Sequence, residues 1–204
     1  VDGLTLVISP LIALMKDQVD ALRVNGIKAA YVNSTLQSEE IRTILEAARL
    51  GQISLLYLAP ERVATPAFQT MLQRLPIRFI AVDEAHCISE WGHDFRPDYR
   101  SLSSLRHLFP HVPWMALTAT ANEQVRDDII TYLAFKTARV FLSSFNRPNL
   151  TYLVRPKDKR WLDTAIAALK HIEGSSAIIY CLSRKDTEQV AAKLCERGLR
   201  AIPY

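Results

Sequence analysis

Phe79-Ile80-Ala81-Val82-Asp83-Glu84-Ala85-His86 decides how this chain is read: four apolar residues in a row run directly into two carboxylates and a histidine. A strand that is apolar at every position is buried on both faces, which is the property of a parallel sheet covered by helices. The pattern recurs on both sides of this stretch. Leu4 to Ile8, Ala29 to Val32, Leu55 to Leu58 and Trp114 to Leu117 are further short apolar runs, separated by segments of helical period. In the first such segment Leu11, Leu14, Met15, Val19 and Leu22 fall on one face, and Gly26 supplies the stop. In the next, Ser38 is placed to cap a helix that carries Ile41, Ile44, Leu45 and Ala48 and ends at Gly51. Thr65-Pro66 sets the cap and first turn of a third helix, which runs to Leu75. Strand and helix in alternation predict an α/β fold of βαβ units around one parallel sheet.

From Ser143 to Thr151 the period lapses into a polar stretch punctuated by Pro148, and a domain boundary is expected at 145/146. A second βα series follows: a helix from Trp161 to Ile172, a buried strand Ala177-Ile178-Ile179-Tyr180, a helix from Lys185 to Arg197 closed by Gly198, and another strand starting over Ala201 to Tyr204. The expectation is one domain over 1–145 and the beginning of a second over 146–204. Val1 is not a methionine and leads straight into a strand, so the chain reads as an internal fragment.

Composition narrows the classes. A chain of 204 residues with 49% hydrophobic and 23% charged residues buries an ordinary globular core. Twenty-five basic residues against 21 acidic ones permit a polyanionic partner without requiring it. Cys87, Cys181 and Cys195 form no C-x-x-C pair, which speaks against a zinc cluster or a disulfide framework and for small buried hydrophobes. No apolar run approaches the roughly 20 residues of a membrane span and no secretory leader opens the sequence, so a soluble, cytoplasmic protein is expected.

The polar residues collect where such a sheet binds ligands. Ser9, Pro60-Glu61-Arg62, Asp83 to His86, Thr118-Ala119-Thr120 and Ser183-Arg184 each follow an apolar run directly, which predicts clusters on the rim at the carboxyl ends of the strands. Asp83 and Glu84 suit metal-assisted nucleotide hydrolysis, one carboxylate holding Mg²⁺ through water and its neighbour acting on the attacking water, with His86 sensing the phosphate. The plainer alternative is an acidic helix cap beside a satisfied histidine.

Behind them, Trp91, His93, Phe95, Arg96 and Tyr99 are interleaved with Gly92 and Pro97. Aromatic faces beside a cation stack unpaired bases, at roughly 1–3 kcal/mol per base. The alternative is that Trp91 and Phe95 anchor a loop into the core. Thr118 and Thr120 form a hinge or an ordinary cap before Asn122, and Arg62 and Arg184 are phosphate contacts or merely solvated. No glycine is followed by Lys and then Ser or Thr, so the chain has no phosphate cradle of that kind and is not expected to hydrolyse ATP by itself.

The stretch Asp83-Glu84-Ala85-His86-Cys87-Ile88-Ser89-Glu90-Trp91-Gly92-His93-Asp94-Phe95-Arg96-Pro97-Asp98-Tyr99 resembles motif II of RecQ helicases running into their aromatic-rich loop. Ser9 to Val19 resembles motif Ia, Ala59 to Arg62 motif Ib, and Ala116 to Ala121 motif III. Phe145 to Asn149 and Ile178 to Arg184 resemble the entry to the second motor lobe and motif IV. The resemblance implies two RecA-like lobes, the second only begun, that use ATP and Mg²⁺ to move 3′-to-5′ on DNA and separate duplexes in repair and recombination. It implies catalytic roles for Asp83, with water-mediated Mg²⁺, Glu84 and His86. The implied DNA-binding set is Trp91, His93, Phe95, Arg96, Arg62 and Ser9; Thr118, Thr120 and Arg184 are the implied coupling residues. Single-stranded and forked DNA are the implied partners, in the cytoplasm with a bacterial nucleoid or in a nucleus. A Asp-Glu-Ala-His string also occurs in RNA helicases of the same superfamily, and a binding module without turnover would use the same fold.

Overall fold

The continuous apolar runs form strands because each is flanked by others that complete its ladder. β1 (Leu4–Ile8), β2 (Ala29–Val32), β3 (Leu55–Leu58), β4 (Ile77–Val82) and β5 (Trp114–Ala116) make a parallel sheet in the order β2-β3-β1-β4-β5. The structure, a computed structural model, describes residues 3–144, 146–170, 174 and 176–204. The chain divides into two compact units, Val1–Phe141 and Leu142–Tyr204. Phe145 and Ile172, which belong to segments read from the sequence, lie outside the described residues.

In the first unit the strands are joined by α1 (Ile12–Val24), α2 (Ser38–Arg49), the short α3 (Pro60–Val63) and α4 (Pro66–Leu72). After β4 come a 3-10 turn (Ala85–Ile88), α5 (Pro97–Arg100) and α6 (Leu102–Leu108), and after β5 comes α7 (Glu123–Tyr132). Alternate residues of each strand serve opposite faces. Leu6, Ile8, Ile80 and Val82 join the larger core with Ile41, Leu45, Phe68, Leu72, Leu102 and Val125. Val7, Tyr57 and Ala81 meet Met15 and Val19 of α1 on the other side. Complete burial of one such aliphatic side chain contributes about 1.5–3 kcal/mol.

Register matters most for function. Ile8 is level with both Leu58 and Val82, Leu58 with Val32, and Val82 with Ala116. The strands therefore end on one line, and Asn33, Ala59, Ser9, Asp83 and Leu117 are the next residues along that rim.

Three local expectations are corrected. Ser38 is the first residue of α2 rather than its cap: Gln37 holds that position, and its backbone N–H donates to Glu40 Oε2 at 2.8 Å. Leu11 precedes α1 as an exposed residue, so the buried stripe of that helix is Met15 and Val19. α4 ends at Leu72, and Leu75 reaches the core from the turn beyond it.

The second unit contains α8 (Trp161–Lys170) and α9 (Arg184–Glu196), the latter capped by Ser183 Oγ, which accepts from Asp186 N at 3.1 Å. Ala177 to Tyr180 is not a buried strand: Ile178 is 79% and Tyr180 91% exposed. Extended backbone becomes a strand only when a neighbour satisfies its N–H and C=O groups, and no described segment of this unit, Ala201 to Tyr204 included, pairs with it. Among the described residues no helix is long and apolar enough to cross a membrane.

Candidate functional site

Asp83 is delivered by β4, and its N–H donates to Ile8 O at 2.8 Å, so the sheet itself fixes its backbone. Its Oδ1 accepts from Glu84 N at 2.9 Å, and Oδ2 has no hydrogen-bond partner among the described residues. Glu84 has φ +47° and ψ +43°, a left-handed conformation that costs a residue with a Cβ about 1 kcal/mol. That strain turns the chain sharply off β4 into the 3-10 turn. Ala85 N then donates to Leu117 O at 2.9 Å, tying the turn to the end of β5.

His86 is 3% exposed and lies at the centre of the polar network. Its Nδ1 is 2.9 Å from Thr118 Oγ1 and 3.3 Å from Glu84 Oε2. Burial, then the adjacent His93, push His86 below the ordinary histidine range, with Glu84 and Asp94 opposing. The neutral ring closes the network when Nδ1 carries the proton and donates, while the Thr118 hydroxyl donates to Thr120 O and accepts from Thr120 N, both at 3.2 Å. On the other side Cys87 Sγ is 3.8 Å from His86 Nε2, and burial pushes that thiol up to about 11, so it stays protonated. The ring of His93 stacks on that of His86 at 4.0 Å, and its Nδ1 is 3.4 Å from Thr120 Oγ1. His86 is thus satisfied, but by the other members of the site, and the carboxylate pair caps no helix by a side-chain hydrogen bond.

The loop behind this cluster is anchored at its root and open at its tip. Ser89 is fully buried, donates to Asp128 Oδ2 at 2.6 Å and accepts from Trp91 N at 3.1 Å. A Cβ on Gly92 would run into the carbonyl oxygen of His86, so glycine is required there. Trp91 is 73% exposed and His93 is exposed, which removes the reading of Trp91 as a core anchor. Phe95 is half-buried, with the Arg100 guanidinium 4.9 Å from its ring centre; the same cation is 4.7 Å from the Tyr132 ring and 3.0 Å from Glu90 Oε1. Tyr99 is fully buried and donates its hydroxyl to Asp83 O at 2.8 Å.

Three residues expected at a DNA surface sit differently. Arg96 directs Nε and Nη2 to Asp94 Oδ2 at 3.0 and 2.8 Å and Nη1 to Pro10 O at 2.9 Å, so it pins the loop to the β1–α1 connection. Ser9 is fully buried and its hydroxyl has no partner among the described residues. Arg62 of α3 donates to Asn33 O at 3.0 Å and so ties that helix to the residue that follows β2. Arg184 is exposed in the second unit, which leaves four of the five clusters on one sheet.

Asn33, Ser89, Arg100 and Asp128 were not singled out from the sequence. Asn33 follows an apolar strand and obeys the same rule as the others. Asp128 carries no local signal, since its partner lies 39 residues away.

Among the described residues no group of three or more His, Cys, Asp or Glu could hold a metal ion. Asp83 with Glu84 suits a hard cation that takes its remaining oxygens from water and phosphate, which is the habit of Mg²⁺ rather than of a fully caged ion.

Residues 2–128 match the family model of DEAD/DEAH box helicases. The chain belongs to that family. It is 46% identical over 203 residues to the ATP-dependent DNA helicase RecQ of Pasteurella multocida, covering 100% of this chain and 32% of that protein. It is 43% identical over 206 residues to RecQ of Bacillus subtilis (100% and 34%) and 40% over 214 residues to the ATP-dependent DNA helicase Q1 of Mus musculus (100% and 33%). This helicase-family chain therefore spans about a third of the length of these relatives. A crystal structure of the DUF1998 helicase MrfA shares its fold, with a TM-score of 0.67 at 16% identity over 97% of this chain and 32% of that one.

Proposed function

We propose that this chain is part of the ATP-driven motor of a RecQ-type DNA helicase that moves 3′-to-5′ and opens duplexes in repair and recombination, acting on single-stranded and forked DNA wherever the genome is housed. The observation that carries this reading is the unbroken path from Glu84 through His86 and Thr118 to Thr120, with His93 of the aromatic loop stacked on His86. A carboxylate suited to acting on water is thereby one ring away from a loop that presents Trp91 to solvent.

In this proposal Asp83 is the residue that would hold Mg²⁺, and the ion, when bound, would supply charge neutralisation at the ATP phosphates. Glu84 orients the hydrolytic water, and its left-handed backbone aims it off the strand end. His86, kept neutral by burial, reports any displacement of Glu84 to Thr118. Trp91 and Phe95 supply stacking faces for unpaired bases. A glycine-rich Lys-Ser/Thr loop for the phosphates has no counterpart among these 204 residues.

The test is the ATPase of the full-length protein with single-stranded DNA and with RNA of matched length. Stimulation by DNA at least about tenfold above that by RNA is expected, the scale of a moderate coupling between sites. Equal stimulation by RNA rejects the reading.

A further inference from the structure

Helix α7 begins directly after the threonine segment. Asn122 Oδ1 accepts from Val125 N at 2.9 Å, and Arg126 Nη1 donates back to Ala121 O at 3.0 Å, so the first turn of α7 is fastened to the residues that follow Thr120. Asp128 and Tyr132, four residues apart, lie on one face of this helix. Both reach the aromatic loop, at its two ends: Asp128 at Ser89, and Tyr132 through the Arg100 cation at Phe95.

The contact at Ser89 is the tighter of the two. Ser89 Oγ has a single proton, given to Asp128 Oδ2 at 2.6 Å, the short distance of a hydrogen bond to a charged acceptor. The same oxygen accepts from Trp91 N. Ser89 itself is fully buried, so its hydroxyl depends on Asp128 as its acceptor. The orientation of the hydroxyl, and with it the backbone that carries the exposed indole, is set from α7.

We infer that Asp128 is a positioning residue: through Ser89 it fixes the root of the loop that bears Trp91, so that α7 links the Thr118–Thr120 segment to the loop and sets how much single-stranded DNA is needed to stimulate ATP hydrolysis. This route runs parallel to the direct contact of His93 with Thr120, and it rests on the function proposed above. Asp128 touches neither nucleotide nor DNA in this scheme.

The experiment uses the full-length protein and an unstructured oligothymidine as the single-stranded probe. ATPase is measured against oligonucleotide concentration for the wild type, Asp128→Ala, Asp128→Asn, Ser89→Ala and the Ser89→Ala/Asp128→Ala double variant. Asp128→Ala and Ser89→Ala are each expected to raise the half-stimulating DNA concentration about tenfold while hydrolysis without DNA is retained. The double variant is expected to be no worse than either single one, since both remove the same bond. Asp128→Asn keeps an acceptor oxygen and is expected to stay within about twofold of wild type. Hydrogen exchange separates a local change from misfolding: peptides over 89–96 lose protection and those over β1 and β4 keep theirs. An unshifted Asp128→Ala, additive losses in the double variant, or protection lost throughout would each overturn the inference while leaving the proposed function standing. A wild type that DNA does not stimulate at all would remove the proposed function, and this inference with it.

Discussion

The stretch from Asp83 to Tyr99 has an inner and an outer half, built from similar residues and placed in opposite surroundings. His86, Cys87, Ser89 and Tyr99 are buried, and each makes at least one polar contact inside the protein. Trp91 and His93 are exposed: the Trp91 backbone is held by Ser89, and the His93 ring stacks on His86 and reaches Thr120 Oγ1 at 3.4 Å. One histidine is buried and one exposed, their rings 4.0 Å apart. The difference separates anchoring from contact: the inner half keeps the geometry of Asp83 and Glu84, and the outer half is left free to meet another molecule. Conserving the chemistry of a residue while moving it between these halves would change what it does.

The sharpest way to break this division is Trp91→Ala. An exposed indole contributes little to folding, so the thermal midpoint is expected to hold, with stability changed by no more than about 0.5 kcal/mol. Affinity of the full-length protein for single-stranded DNA is expected to fall by about 1–3 kcal/mol, the contribution of one stacked base. Fluorescence anisotropy with a labelled oligonucleotide measures the second and a thermal melt the first. A lowered melt with unchanged DNA affinity would assign Trp91 to the inner half.

How much of this was legible in the sequence follows from how local each signal is. β1, β2 and β3 have the bounds that their apolar runs predict, because strands of a parallel sheet covered by helices on both faces are apolar at nearly every position and announce themselves residue by residue. Ala177 to Tyr180 has an equally apolar run but no partner among the described residues, and pairing is not a property of the run itself. The site shows the same split. Asp83, Glu84, His86 and Thr118 were readable as residues that end strands, and the common register brings them together. The tasks of Arg96, Ser9 and Asp128 were not, because Pro10 lies 86 residues from Arg96, Ser89 lies 39 from Asp128, and the burial of Ser9 depends on the path of the whole chain.

Tyr99→Phe tests the inner half. The substitution keeps the ring and removes the hydroxyl, leaving the carbonyl of Asp83 without its 2.8 Å donor in a buried place. A loss of about 1 kcal/mol is expected from chemical denaturation, the usual net worth of such a bond. DNA affinity is expected to remain near wild type. Undiminished stability with weakened DNA binding would place Tyr99 in the contacting half and dissolve the division.

The weakest expected effect is a pH dependence, because Glu84 and Asp94 partly offset what burial does to His86. An unfolded histidine takes up its proton near pH 6.5, and folded His86 takes it only at lower pH. Between those two values the unfolded chain binds more protons, so stability rises with pH there. The contribution of neutral His86 is therefore complete above about pH 6.5 and is lost as the pH falls through its folded-state value. Thermal midpoints of the wild type should decline on acidification through this window more steeply than those of His86→Asn, whose side-chain amide can still donate toward Thr118 without titrating. Parallel curves would mean that the proton on His86 is not linked to folding, and the neutral ring could then no longer be taken as the element that joins Glu84 to Thr118.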